Sequence, residues 1–127
     1  MPCILIVDDE AHIRLLIEQT LEELEDEGVE ILTAENGEEA LEMVKAHGGA
    51  IHLLVTDVVM PNMDGPTLVR NVRRLRPEIQ VIFMSGYAEE AFRRNDEKAE
   101  NLHFLPKPFG LKQLAAKVKD VLSGTPG

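Results

Sequence analysis

The chain has 127 residues, which is enough for one compact domain with an aliphatic core, since aromatic residues make up only 4%. Its formal net charge is −10 and is uneven: residues 1–60 carry fifteen acidic residues against two basic ones, whereas residues 61–127 carry eight acidic residues against eleven basic ones. This balance argues against nucleic-acid binding, which depends on cationic contacts to phosphates, and the single cysteine, Cys3, excludes an intrachain disulfide.

The first half of the chain predicts two strand–helix units. Short apolar runs at 3–7 and 29–34 predict strands. Between them, an amphipathic segment predicts a helix that Gly28 ends, with an apolar face formed by Ile13, Leu16, Ile17, Leu21 and Leu24. After the second strand, Asn36 with Glu39 three residues later predicts a capped helix start. This second helix ends near 48–49 and buries Ala40, Leu41 and Val44.

The second half predicts three more strands, at 51–56, 79–84 and 102–105. A helix over about 65–75, stopped by Pro77, separates the first two of them. Residues 87–100 predict a short helix followed by a polar loop. The last helix covers 111–122, with an apolar face formed by Leu111, Leu114, Ala115, Val118 and Leu122.

Alternation of continuously apolar strands with helices is typical of a parallel sheet that is covered on both faces. We therefore predict an α/β, flavodoxin-like, doubly wound fold: a five-stranded parallel sheet of order 2-1-3-4-5 with five helices. The domain is expected to span residues 1–122, followed by a flexible tail at 123–127.

Chemically active side chains follow four of the five predicted strands. The residues are Asp8 and Asp9 after the first strand, Asp57 after the third, Ser85 after the fourth and Lys107 after the fifth. For any one of them alone, a structural role such as a helix N-cap is as good an explanation as function. However, the carboxyl ends of parallel strands meet at one edge of the sheet, where open α/β sheets bind ligands. Their coincidence at one edge therefore indicates a functional site.

Three acidic residues at one edge favour a hard divalent cation such as Mg²⁺, which takes one or two carboxylates and keeps several waters. The cation would offset the repulsion among Asp8, Asp9 and Asp57. A carboxylate beside Mg²⁺ can also attack phosphorus and form an aspartyl phosphate. The Lys107 ammonium and the Ser85 hydroxyl can bind the oxygens of the transferred group. These residues predict Mg²⁺-dependent phosphoryl transfer.

Over essentially all of residues 3–122, the sequence resembles the receiver domains of two-component response regulators, typified by the chemotaxis regulator CheY. The motifs that carry the resemblance are Asp8-Asp9, Asp57 with the following "MPNMDG", Ser85-Gly86, and Lys107-Pro108-Phe109. The stretches "DGPTL", "FMSGYAEEAF" and "FLPKPFGLKQLAAKVKDVL" look like the receiver of CckA-type hybrid histidine kinases. The first forty-odd residues look more like free-standing receivers of another lineage, as in a chimeric or engineered chain.

The resemblance implies that Asp57 is the phosphoacceptor. It also implies that Asp9, Asp57 and the Val59 carbonyl ligate Mg²⁺ directly, while Asp8 acts largely through water. Ser85, Gly86 and Lys107 would bind the phosphoryl group.

A conformational switch is implied as well, through Ser85 and inward rotation of Phe104; the alternative is that Phe104 is permanently buried. The resemblance further implies a cis peptide between Lys107 and Pro108. Val59 and Tyr87 would flank the attacking water without an acid or amide to orient it, so we expect modest self-dephosphorylation.

Several other polar residues are expected to have ordinary structural roles. They are the four histidines His12, His47, His52 and His103, which lack metal-ligand spacing, with His52 and His103 placed within strands. Arg70, Arg73, Arg74 and Arg76 are expected to form a solvated helix face. Cys3 is expected to be a small buried side chain rather than a reactive thiol.

The expected partner is a histidine kinase or a histidine phosphotransfer protein that docks near Ile13 and Leu16 and near Pro108-Phe109. Two alternatives stay open: a phosphatase of the haloacid dehalogenase class, whose nucleophile lies in an Asp-x-Asp pattern on the first strand, and a degenerate receiver that serves only for docking.

No apolar run approaches the length of about 20 residues that is needed to cross a bilayer, and no signal-peptide pattern opens the chain. We expect a cytoplasmic protein without membrane insertion, as a monomer or weak dimer.

Overall fold

The computed structural model describes residues 2–48, 51–84, 102–105 and 110–122. One sheet contains five parallel strands in the order β2-β1-β3-β4-β5, namely β1 (Cys3–Val7), β2 (Glu30–Ala34), β3 (Leu53–Thr56), β4 (Gln80–Phe83) and β5 (Leu102–Phe104). The described residues also form five helices, namely α1 (Ala11–Thr20), α2 (Glu22–Asp26), α3 (Gly37–Ala46), α4 (Gly65–Leu75) and α5 (Leu111–Leu122). The predicted fold class and strand order are confirmed.

Side chains of β1 alternate between two apolar layers. Leu5 and Val7 lie in the layer that also contains Val44 of α3 and Leu68 of α4. Ile4 and Ile6 lie in the opposite layer, which contains buried residues of α1, α2 and α5. All five residues of β1 are buried, because a central parallel strand is covered on both faces.

Helix ends follow the local chemistry of the sequence. The side chain of Asn36 accepts a hydrogen bond from the Glu39 N–H at 2.7 Å, so the predicted N-cap is confirmed. Asp64 caps α4 in the same way, through the Thr67 N–H at 2.9 Å. Gly28 has a φ of 96° just after α2, a conformation that favours glycine and that ends the helix as predicted.

The first predicted helix differs from expectation in two respects. It is divided at Leu21 into α1 and α2. Its predicted buried face is also wrong for Leu16, which is 42% exposed. At 100° per residue, Leu16 lies about 95° from the centre of the stripe formed by Ile13, Ile17, Leu21 and Leu24.

The last helix packs through a slightly different face than predicted. Leu111 is the first residue of α5 and is 42% exposed, whereas Val121 is buried beside Leu114 and Val118. The predicted helix at 87–100 and the predicted tail at 123–127 lie outside the described residues. Within the described part of the chain, no helix is long and apolar enough to cross a membrane.

Candidate functional site

The register of the two central strands places Asp8 next to Asp57. Val7, the last residue of β1, pairs with Thr56, the last residue of β3. The Asp57 N–H then donates to the Val7 carbonyl at 3.3 Å, so the pairing continues one residue beyond β3. Because parallel strands run in register, the residues that follow Val7 and Thr56 leave the sheet side by side.

Three carboxylates meet at this edge of the sheet. Asp8, Asp9 and Asp57 each offer an oxygen, and these oxygens lie within 4.8 Å of one another. Asp8 is 1% exposed, Asp57 is half-buried and Asp9 is exposed. The group is therefore closed on the side of the core and open to solvent on the side of Asp9.

Asp8 is held by the chain that follows it. Its Oδ1 accepts a hydrogen bond from the Glu10 N–H at 2.9 Å, which turns the backbone into α1. Its carbonyl accepts from Nη1 of Arg14 at 2.6 Å. Arg14 thus places a guanidinium beside the acidic residues, a contact that the sequence pattern did not reveal.

The loop that starts at Asp57 is held by three hydrogen bonds. Oδ1 of Asp57 accepts from the Val58 N–H at 2.7 Å, which fixes the orientation of the carboxylate. The Asp57 carbonyl accepts from Oγ1 of Thr56 at 2.9 Å, and the Val58 carbonyl accepts from the Gly65 N–H at 2.8 Å. Val59 is 78% exposed, and among the described residues none donates to its carbonyl.

Gly65 brings the start of α4 into close contact with this loop. A Cβ built at position 65 would overlap the Asp57 carbonyl oxygen and would lie 3.1 Å from the Val58 Cα. Only glycine fits such an approach without a backbone shift. Asn62, at the tip of the same loop, has a φ of 70°, a left-handed conformation that asparagine tolerates. Sequence reasoning identified neither role, although the Asp-Gly pair after the loop was the available signal for Gly65.

The donor set fits a hard cation. Oxygens bound to one octahedral Mg²⁺ at about 2.1 Å lie about 3 Å apart when adjacent and about 4.2 Å apart when opposite. The 4.8 Å spread of the three carboxylates approaches this range, so small side-chain rotations would bring them onto one ion. Such an ion would also remove the repulsion that three close carboxylates create.

The remaining sequence-predicted site residues are only partly described. Ser85, Gly86 and Lys107, together with Tyr87, Pro108, Phe109 and the predicted cis peptide, lie outside the described residues. Phe104 is half-buried against the layer of the core that contains α3 and α4. Its ring stacks on the fully buried ring of Phe83, with centroids 5.8 Å apart and an interplanar angle of 17°.

Two of the histidines make polar contacts near Cys3 and Glu30, and one of the two lies outside the strand predicted for it. Nε2 of His47 lies 2.9 Å from Oε1 of Glu30 and 3.9 Å from Sγ of Cys3, so His47 does have metal-ligating neighbours. His52 precedes β3 instead of lying within a strand, and its Nδ1 accepts from the Cys3 N–H at 3.1 Å. Cys3 itself is buried as expected, and burial raises the pKa of its thiol to about 12.

Arg76 is not part of a solvated face. Its Nη2 donates to the His47 carbonyl at 3.1 Å and to the Val44 carbonyl at 3.4 Å. The guanidinium therefore caps the carboxyl end of α3, where cations are favourable, and joins α3 to the end of α4. Arg73 is half-buried as well, whereas Arg70 and Arg74 are exposed as expected.

Comparison with known sequences gives a consistent result. The chain matches the response regulator receiver domain family over residues 4–119. It is 47% identical over 119 residues to the sensor kinase CckA of Brucella abortus (strain 2308), covering 94% of this chain but 12% of that kinase. It is 30% identical over 122 residues to the response regulator receiver protein CpdR of the same strain, covering 96% of this chain and 98% of CpdR.

Solved structures agree with the sequence comparison. The receiver domain of the hybrid histidine kinase CckA matches with a TM-score of 0.74 at 38% identity, covering 94% of this chain and 98% of that one. The response regulator TrrA of Thermotoga maritima, solved in complex with Mg²⁺-BeF, matches with a TM-score of 0.72 at 35% identity. The match covers 95% of this chain and 99% of the TrrA chain. Similarity to CckA runs through both halves of the chain, and a chimeric origin stays a prediction.

Proposed function

The chain belongs to the response regulator receiver domain family of two-component systems, and from this premise we propose that it accepts a phosphoryl group on Asp57 in a Mg²⁺-dependent reaction. The observation that carries the proposal is the group of three carboxylates, Asp8, Asp9 and Asp57, whose oxygens lie within 4.8 Å of one another. The match to TrrA, which was solved with Mg²⁺-BeF, supports the choice of cation.

Among the three carboxylates, Asp57 is the best-placed nucleophile. Asp8 is 1% exposed and its Oδ1 is engaged by the Glu10 N–H, so an incoming phosphoryl donor cannot easily reach it. Asp57 is half-buried, and the Val58 N–H orients its carboxylate. Asp9, exposed at the open side, is suited to holding a cation together with Asp57 and the Val59 carbonyl, and Asp8 would act largely through water.

The proposed reaction is the transfer of a phosphoryl group from a phosphohistidine. An Asp57 oxygen forms a bond to phosphorus while the bond from phosphorus to the histidine nitrogen breaks, and the imidazole leaves as a neutral ring because its other nitrogen carries a proton. Bound Mg²⁺ supplies positive charge beside the phosphoryl oxygens. Ser85, Gly86 and Lys107 are proposed to bind those oxygens from the fourth and fifth strand ends.

A switch through Ser85 and Phe104 is proposed to report phosphorylation. Phe104 is half-buried against the ring of Phe83. Phe83 is the last residue of β4, and Met84 and Ser85 follow it in the chain. Inward movement of the Ser85 hydroxyl would change the packing space next to this ring pair. Because Phe104 carries no hydroxyl, the signal would pass through packing alone.

The phosphoryl donor is proposed to be a histidine kinase or a histidine phosphotransfer protein. Leu15 and Leu16 on α1 are 54% and 42% exposed, close in sequence to Asp8 and Asp9. Exposed leucines beside a reactive site are suited to burial against a partner helix. The exposure of Leu16, which was expected in the core, therefore favours the docking role that the sequence also suggested for it.

Incubation with acetyl phosphate tests the function. The parent chain should gain the mass of one phosphoryl group in the presence of Mg²⁺ and not in the presence of a chelator. Asp57→Asn should abolish the gain, whereas Asp64→Asn should keep it, because asparagine is also a good N-cap.

The same experiment separates the alternative functions. Continuous turnover of acetyl phosphate without a stable adduct would favour a phosphatase of the haloacid dehalogenase class. The absence of both adduct and turnover in the parent chain would favour a docking scaffold. Either this result or continuous turnover would contradict the proposal.

A further inference from the structure

A second group of metal-ligating side chains lies at the opposite end of the sheet from the carboxylates. Cys3 is the first residue of β1 and Glu30 is the first residue of β2, and the two residues pair directly across the parallel strands. His47 follows α3, which covers the same face of the sheet. Three separate elements therefore deliver a sulfur, a carboxylate and an imidazole to one place.

The two distances from His47 within this group are close to those of a tetrahedral metal centre. Nε2 of His47 is 2.9 Å from Oε1 of Glu30 and 3.9 Å from Sγ of Cys3, and all three ligand atoms lie within 4.8 Å of one another. With metal–ligand bonds of about 2.0–2.3 Å, tetrahedral Zn²⁺ requires about 3.3 Å between nitrogen and oxygen and about 3.6 Å between nitrogen and sulfur. Each of these two distances needs to change by about 0.3–0.4 Å.

The backbone around the group is held by contacts that leave the ligand atoms in position. The Cys3 N–H donates to Nδ1 of His52 at 3.1 Å. The His47 carbonyl accepts from Nη2 of Arg76 at 3.1 Å. Anchoring of this kind lowers the entropic cost of gathering ligands around an ion.

Donor chemistry separates this group from the acidic pocket, which is formed by Asp8, Asp9 and Asp57. Thiolate and imidazole select borderline metals such as Zn²⁺, whereas three carboxylates suit Mg²⁺. One thiolate and one carboxylate also neutralise the charge of a divalent ion, so no net charge would be buried. Cys3 is buried, while the side chains of His47 and Glu30 are 22% and 45% exposed, which leaves a side open to solvent.

We propose that Cys3, Glu30 and His47 form a second cation site, which binds Zn²⁺ with water in the fourth position. Binding breaks the Cys3 S–H bond, places the sulfur electron pair on the metal and releases the proton to the buffer. The bound ion joins β1, β2 and the end of α3. Zinc should therefore stabilise the folded chain, independently of phosphorylation at the other end of the sheet.

Zinc titration of the full chain, stripped of metal and kept in excess Mg²⁺ to occupy the acidic pocket, tests the proposal. A competing chromophoric chelator should report one Zn²⁺ per chain, and the thermal midpoint should rise with Zn²⁺. Cys3→Ser, His47→Gln and Glu30→Gln should each weaken binding at least about tenfold. His12→Gln is the matched control, since it removes an exposed imidazole whose neighbour is Glu10, and it should bind like the parent.

Cobalt provides a readout that does not depend on stability. Co²⁺ bound to the parent should show thiolate charge-transfer absorption, and Cys3→Ser should lose that band. The proposal is overturned if the parent binds no zinc, if Cys3→Ser and His47→Gln bind as tightly as the parent, or if Asp57→Asn abolishes binding. In the first two cases, the contacts are only an imidazole–carboxylate pair beside a thiol, and the proposed function of Asp57 is unaffected.

Discussion

At the scale of single residues, Val59 sets the expected lifetime of the phosphorylated state. Its apolar side chain is 78% exposed two residues after Asp57, where it offers no group to orient an attacking water. Val59→Asn should shorten the lifetime several-fold, which is less than the about 100-fold of a positioned general base, because an amide orients water without accepting its proton. Loss of phosphate over time, followed by mass spectrometry, measures the effect.

Val59→Leu is the matched control, because it retains an apolar side chain on the same exposed backbone. It should keep the lifetime of the parent. Equal lifetimes in the parent and in Val59→Asn would contradict the role assigned to this position.

At the scale of elements, the approach of α4 to the Asp57 loop predicts a strict requirement for glycine. Gly65→Ala would force a Cβ onto the Asp57 carbonyl oxygen, so either α4 or the loop must shift. We expect a loss of about 1–3 kcal/mol in the free energy of unfolding together with slower phosphorylation. Urea titration and acetyl phosphate labelling measure the two effects.

Gly48→Ala is the control for this substitution, because a Cβ at position 48 would meet no atom within 4 Å. It should leave both the stability and the labelling rate close to those of the parent. A Gly65→Ala chain that is as stable and as quickly labelled as the parent would contradict the close approach.

The edge strand β5 predicts a pH dependence of stability. Burial, and after it the charge of Lys117, lowers the pKa of His103 below its ordinary value of 6.5, and Nε2 of His103 hydrogen-bonds Oε1 of Gln80 at 3.0 Å. The unfolded chain then binds more protons than the folded one just below that value. The stability that neutral His103 provides is therefore present above the unfolded pKa and is lost as the pH falls through the lower, folded pKa.

His103→Gln should reduce this dependence, since glutamine does not titrate and can still hydrogen-bond Gln80. Urea unfolding at about pH 7.5 and about pH 5.5 should show a smaller loss of stability in the variant than in the parent. His12→Gln, at an exposed position, should behave like the parent. An identical pH response in parent and His103→Gln would contradict the assignment.

At the scale of the whole molecule, sequence patterns were sufficient to predict the architecture. Each strand is a short apolar run, and alternation with amphipathic helices admits few windings, so order 2-1-3-4-5 followed from general rules. The same rules predicted that Asp8 and Asp57 leave the sheet at one edge. Local signals such as Asn36 and Gly28 were equally readable, because caps and turns depend on near neighbours in the chain.

Contacts between distant segments were not predictable in this way. The meeting of Cys3 with His47 depends on the length of α3 and on its packing angle, which no local pattern encodes. The capping of α3 by Arg76 and the contact of Gly65 with Asp57 depend on tertiary packing in the same manner. Leu16 is exposed because it lies about 95° around the helix from the centre of the buried stripe, so it falls at the edge of the apolar face.

The charge distribution of the molecule predicts that Mg²⁺ binding in the acidic pocket raises the free energy of unfolding. Without a cation, the carboxylates of Asp8, Asp9 and Asp57 repel one another, so Asp57→Asn should raise the free energy of unfolding in a chelator by roughly 1 kcal/mol. In excess Mg²⁺ the difference in free energy of unfolding between Asp57→Asn and the parent should narrow, because Mg²⁺ binding stabilises the parent more than the variant. Urea titrations of both chains measure this, with Asp64→Asn as the control for a lost negative charge.

The most direct test of the central claim is to identify the phosphorylated side chain. After labelling with acetyl phosphate, borohydride reduces an acyl phosphate of aspartate to homoserine, which peptide mass spectrometry can place in the sequence. We predict homoserine at position 57 alone, and only when Mg²⁺ is present during labelling. Homoserine at position 8 or 9, or equal labelling of Asp57 in a chelator, would contradict a magnesium pocket built around Asp57.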